Sequence, residues 1–257
     1  MGRTGGALWT RLRHGADLRR WRAAADGADR ADLPALRRDR AQARALRTQL
    51  DRLIHTAESR LALPRIGADA FPAPVGSDWT WRPEIWRGPL PVQGVASAPT
   101  RTMLGGEATL FHDCDRSELS LRQLRNRREA DLAPFGLRMD VFSFDGSFLS
   151  LVLDFPPEAI AGLLRRHLIR LETIVELEKP LAIFARLNIR HGPNTEQLVR
   201  ELPLHADERV VEFDLAYSNL NERRVEKMWL DLIFEGPAMN EVTLRDVTLS
   251  RRPRADF

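Results

Sequence analysis

The chain has 257 residues, 43% of them apolar and 29% charged, with one cysteine and a net charge of +3. These values exclude a disordered chain and a disulfide-stapled scaffold, and no run reaches the 18 apolar residues of a membrane-spanning helix. The basic excess is local, because residues 1–60 hold 14 arginines against 7 acidic residues and the remainder is net acidic.

The opening MGRTGGALWTRLRHGADLRRW lacks the apolar stretch of a signal-peptide core, so a cytoplasmic protein is expected. Residues 1–63 predict a basic helical hairpin. Its first helix spans about 7–25, with Leu8, Trp9, Leu12, Leu18 and Trp21 set among cations. Its second carries Leu36, Ala43, Leu46, Leu50, Leu53, Ala57 and Leu61 at three- and four-residue steps, as one buried stripe requires. Asp32 and Pro34 provide a start and Pro64 a stop. The Arg-rich faces read first as solvated surface. Homo-oligomerisation through these helices and peripheral contact with anionic lipid are the alternatives, while interspersed acids argue against nucleic acid.

Residues 64–99 hold seven prolines and read as a strap or linker. Within it WTWRPEIW places Trp79, Trp81 and Trp86, which either pin the strap to the next domain or form an exposed stacking platform.

From residue 100 the apolar period becomes two. Nine strands are predicted, at 100–113, 118–124, 137–144, 147–155, 169–178, 181–190, 209–217, 225–235 and 242–251, with one helix from Pro156. The fold class is mainly β, an antiparallel sandwich of jelly-roll type over 100–257 behind an α-helical hairpin. In VEKMWLDLIFE, residues Met228, Leu230, Leu232 and Phe234 take the core face. In the last run Val242 and Leu244 share one parity and Val247 and Leu249 the other, so a bulge is expected near Arg245–Asp246. Arg251, Arg252, Pro253 and Arg254 would then protect a terminal edge strand.

Chemistry-bearing residues are sparse. HDCD at 112–115 lacks a second ligand pair at metal spacing, so it reads as a strand end with turn acids. Glu172, Glu176 and Glu178 alternate with apolar residues, and a solvated strand face accounts for them better than a glycosidase pair does. No nucleophile elbow, phosphate loop or paired-His helix is present, so no catalytic residue is assigned and no cofactor is expected. The strongest polar set is Arg186, Asn188 and Arg190, with Trp229 and Asp231 on another strand. Such donors suit vicinal hydroxyls or a carboxylated sugar and the indole suits a sugar ring face, although an outer-sheet ladder with Arg186 pairing Asp231 or a glutamate explains them structurally.

The segments FDGSFLSLVLDFP, RLNIRHGPN, WLDLIFEGPAMN and LSRRPRADF together resemble an alphaproteobacterial family of domains of unknown function, over residues 100–257. The strand pattern is also similar to galactose-binding-like and carbohydrate-binding jelly rolls. The first resemblance brings no catalytic residues. The second implies a sugar-binding prior and a structural calcium, for which Asp246 or Glu107 could serve. The expected function is a non-catalytic module binding a glycan. An interaction or assembly protein is the alternative, and a glycoside-active enzyme the third reading.

Overall fold

The structure, a computed structural model, describes residues 4–66, 71, 73–128, 131–204 and 210–254. The chain divides into two compact units, 1–53 and 54–257. Helix α1 spans Thr4–Asp26 and α2 spans Leu33–Ile66. Asp32 caps α2 by accepting the Ala35 N–H at 2.6 Å. Pro64 does not stop the helix but lies in its last turn. The expected buried stripe is a correction: Leu46, Leu50 and Leu53 are exposed, as is Leu18. Three- and four-residue spacing aligns side chains on one helix face but does not supply what covers that face. The side chains of Leu8, Trp9, Leu12 and Leu61 lie outside the described residues. Among the described residues no helix is long and apolar enough to cross a membrane.

The second unit is a two-sheet antiparallel sandwich. Its strands are β1 Trp79–Trp81, β2 Gly94–Val95, β3 Thr102–Leu104, β4 Ala108–His112, β5 Leu119–Arg125, β6 Phe135–Val141, β7 Leu149–Asp154, β8 His167–Leu177, β9 Ile183–His191, β10 Asn194–Glu201, β11 Val210–Asp214, β12 Val225–Phe234 and β13 Asn240–Pro253. One sheet runs β11-β8-β13-β6-β5-β2 with β1 also on β13, and the other runs β10-β9-β12-β7-β4-β3. Strict alternation sends Met228, Leu230, Leu232 and Phe234 of β12, and Ile183, Ala185, Leu187 and Ile189 of β9, against Leu171 and Val175 of β8 and Leu137 and Met139 of β6. Each fully buried side chain of this kind stabilises the fold by about 1.5–3 kcal/mol relative to exposure.

The last strand shows how sequence builds the centre of the first sheet. Register shifts between Leu244 and Asp246, so Val242, Leu244, Val247 and Leu249 all reach the core. On the edge of β13 away from β8, β6 pairs with 240–244 and β1 with 249–251. Between these partners, Trp86 Nε1 donates to Leu244 O at 2.9 Å and Asn126 Nδ2 to Arg245 O at 2.9 Å. Strand β13 is therefore central, and the expected terminal edge is a correction. Arg251 is not an edge guard either, being buried and bonded to Asp78, Ala159 O and Ala161 O.

The proline-rich stretch is built into this sheet from Asp78 onward. Trp81, Ile85 and Trp86 enter the core, the last two on the short helix α3, Glu84–Arg87. Trp79 and Trp81 lie over Phe155 with ring centroids 5.8 and 5.2 Å away. These indoles pin the strap, and Trp81 and Trp86 leave no exposed platform. Arg82 makes a bidentate pair with Asp246, at 2.9 and 2.8 Å, across 164 residues of sequence. Pro72 and Arg209 lie outside the described residues. The helix expected from Pro156 shortens to α4, Pro157–Ile160.

Candidate functional site

The outward face of the second sheet carries most of the polar residues singled out in the sequence, and register sorts them into rows. Arg186 of β9, Asp231 of β12, Val152 of β7 and Thr109 of β4 stand directly opposite one another. The next row is Asn188, Trp229 and Asp154, and beyond it Arg190 faces Lys227. On the other side comes Phe184, Ile233, Ser150 and Phe111. Because directly paired residues share a face, these side chains, Asn188 and Phe184 apart, line one groove of ≈ 690 Å³.

Its floor is pre-organised. Oδ2 of Asp231 accepts from Arg186 Nε at 2.8 Å and from Asn188 Nδ2 at 3.2 Å, and it lies 2.6 Å from Arg186 Nη2. The Asp231 side chain is 5% exposed and that of Arg186 38%, so the pair offers the groove mainly its guanidinium. Asn188 is buried, with its amide donating to Arg186 O and accepting from Gln197 Nε2. It supports the groove from beneath rather than facing a ligand. Lys227 joins Asp154 at 2.7 Å and lies 5.6 Å from the Trp229 ring centroid. Arg190 is paired with Glu226 at 3.0 Å. Each of the three cations thus has a carboxylate partner, and the groove is close to neutral.

Sequence reasoning passed over several lining residues. Ser150 is buried among them, and its Oγ has no hydrogen-bond partner. Phe111 is half-buried, and Phe148 is exposed at the groove edge. The strict alternation of SFLSLVLDF places Phe148, Ser150, Val152 and Asp154 opposite the core residues Leu149, Leu151 and Leu153, and this was the signal available.

Asp113 of HDCD fixes the loop that presents Phe148. Its carboxylate accepts from Ser147 Oγ at 2.6 Å and from the backbone N–H groups of Ser147 and Phe148 at 2.7 and 3.2 Å. The Ser147 hydroxyl foremost, and those amides, hold the Asp113 carboxyl below its ordinary range. A Cβ at Gly146 would lie 2.6 Å from Asp113 Oδ1, so glycine allows the close approach. His112 is occupied by backbone, with Nε2 2.9 Å from Ala98 O and Nδ1 accepting from Cys114 N–H. Burial pushes the Cys114 thiol up.

The residues considered for calcium have other partners. Arg82 takes both oxygens of Asp246, whose carboxyl burial pushes up against the pull of that guanidinium. Glu107 accepts from the Glu84 N–H and Arg87. Among the described residues no cluster of three His, Cys, Asp or Glu side chains is arranged to hold a metal. Glu172 pairs with Arg170, and Glu176 with Arg128 and Arg245, on the first sheet. Partial burial raises the Glu176 carboxyl, and the two arginines outweigh it and hold it low.

The whole chain, residues 1–257, matches the model of a family described as "Family of unknown function (DUF6478)", and it belongs to that family. No curated protein matches the sequence. Among solved structures, the chain is similar to the enzymatically active domain of bacteriophage CBA120 tailspike protein 4, at 6% identity and TM-score 0.40, over 61% of this chain and 21% of that one. It is also similar to the family 11 carbohydrate-binding module from Clostridium thermocellum, at 7% identity and TM-score 0.36, over 64% of this chain and 97% of the module. The CBM22-1 xylan-binding domain from Paenibacillus barcinonensis follows, at 10% identity and TM-score 0.36, over 63% and 94%.

Proposed function

We propose that the groove on the second sheet binds a neutral saccharide without chemical turnover. The observation that carries this reading is the juxtaposition, on adjacent strands, of the half-buried Trp229 indole and the pre-paired Arg186–Asp231 floor in an electrically balanced groove. A sugar ring offers an apolar C–H face to an indole and hydroxyls at its edge. Arg186 supplies directed donors for that edge, and paired charges favour a neutral ligand over a polyanion. Both carboxylates of the groove are held by cations: Asp231 is withdrawn beneath Arg186, and the more exposed Asp154 suits acceptance of hydroxyl hydrogens rather than proton transfer.

The test is a glycan-array screen of the full chain, followed by titration of the best binder against Trp229→Ala. Loss of the indole is expected to weaken binding by about 1–3 kcal/mol, the range for a base stacked on an aromatic ring, while the melting temperature stays within a few degrees. A variant that melts far lower yet binds normally would make Trp229 a packing residue and end this reading, as would an array with no binder.

A further inference from the structure

The rows of this sheet face are graded. Arg190 and Lys227 stand at one end, then Asn188, Trp229 and Asp154, then Arg186 and Asp231, and finally Phe184, Ile233, Ser150 and Phe111. Past this last row the surface does not close. A recess of ≈ 480 Å³ follows, lined by Phe144, Phe148, Phe184, Ile233 and Pro237 among others. Phe148 and Ile233 line both hollows, so the recess adjoins the groove. Two of its lining residues carry polar side chains: the Ser147 hydroxyl is given to Asp113, and Glu235 is exposed. Two further apolar side chains, Phe142 and Met239, are exposed nearby and tied by the Met239 N–H to Phe142 O bond at 2.8 Å.

We infer that the ligand is amphiphilic: a saccharide whose ring lies over Trp229 and Arg186 and whose apolar aglycone, alkyl or aryl, enters the phenylalanine recess. The inference rests on the saccharide reading and adds the class of substituent. Its physical basis is the mismatch between a continued sugar chain and the recess. Hydroxyls entering it would leave water for a wall built mainly of apolar side chains, and an unsatisfied polar group is costly to bury. A hydrocarbon entering the same space gains on every methylene, two of which already correspond to about ten-fold in affinity. The Asp113-held loop keeps Phe148 in place as the shared wall, so both parts of the ligand meet a formed surface.

Titration calorimetry on the full chain tests this with methyl, octyl and phenyl β-D-glucosides and β-D-galactosides below their micellar concentrations, and with n-octanol alone. Octyl or phenyl glycosides are expected to bind at least about ten-fold more tightly than the methyl glycoside of the same sugar. Which of the two gains more identifies the aglycone as alkyl or aryl. Phe184→Ala should abolish the gain and leave the methyl glycoside unchanged, and Trp229→Ala should weaken all three. Equal affinity for methyl and octyl forms, or a gain that survives Phe184→Ala, would overturn the inference while leaving saccharide binding intact. Binding of n-octanol as tight as that of the octyl glycosides, with no methyl glycoside bound, would instead defeat the saccharide reading. Absence of binding by every probe would overturn the inference.

Discussion

Arg186 and Asp231 face each other across the β9–β12 ladder, with the Arg186 Nη2 2.6 Å from an aspartate oxygen that is almost wholly withdrawn from water. The carboxylate depends on this guanidinium and on Asn188 for its hydrogen bonds. Arg186→Ala is therefore expected to destabilise the sandwich by about 1.5–3 kcal/mol, the range for hydrogen bonds to a charged group. Asp231→Asn, which keeps the shape and removes the charge, should cost less. Urea melts check both, and equal midpoints for Arg186→Ala and the parent would show that Asp231 is rehydrated at no cost.

Asp113→Ala should release the 145–148 loop and with it Phe148. The expected result is faster amide exchange at Ser147 and Phe148, together with weaker binding of any ligand that touches Phe148. Ser147→Ala removes one of the three bonds and should act in the same direction, but less. Unchanged exchange at both amides in Asp113→Ala would show that the loop is held by other contacts.

A fragment comprising residues 71–257 should fold cooperatively, because among the described residues the buried core cluster begins at Trp81. A fragment starting at residue 100 should not. It lacks Arg82, leaving Asp246 as an unpaired buried charge, and it lacks Trp86, which both fills the core and satisfies Leu244 O. Circular-dichroism melts of the two fragments decide this, and a sharp transition in the shorter one would refute it.

Stability should decline as pH falls below the ordinary histidine value of 6.5. Burial foremost, and then Arg251, lower the pKa of His167, with Asp78 opposing, Arg166 lowering it further and Glu222 opposing. Its Nδ1 accepts the Leu164 N–H, so the folded protein holds the ring neutral. Below 6.5 the unfolded chain takes up a proton that the native ring refuses, so ν of the unfolded state exceeds that of the native and stability rises with pH. His167→Gln should flatten the melting-temperature profile between about pH 6.5 and 5, where the unfolded histidine protonates. Parallel profiles for the two proteins would remove His167 from the account. Asp78 contributes separately and lower down. Burial raises its carboxyl, but the bond and charge of Arg251 outweigh this and hold it below 3.8, so its contribution is present above that value and lost as pH falls through the lowered one.

Alternation by itself determined most of the sandwich: which residues of β7, β9 and β12 point inward, and that the final strand needs a bulge at Arg245–Asp246 to bury both apolar pairs. These follow from a local rule, since each side chain's face is set by the backbone period. The strand β10 was missed because an edge strand with both faces partly exposed, NTEQLVRE, need not alternate. Which strands are neighbours is a non-local outcome, and only the tertiary structure decided it. Pairing placed β13 at the centre of its sheet and joined Arg82 to Asp246 over 164 positions, and Leu46, Leu50 and Leu53 of α2 were left exposed. At the candidate site the outward parity of Arg186, Asn188, Trp229 and Asp231 was legible. Register then buried Asn188 and the Asp231 carboxylate beneath Arg186, and it aligned Ile233, Ser150 and Phe111 at one end of the groove with Phe184 in the adjoining recess. A side chain's face is a property of its own strand, whereas its partners and its depth belong to the strands beside it.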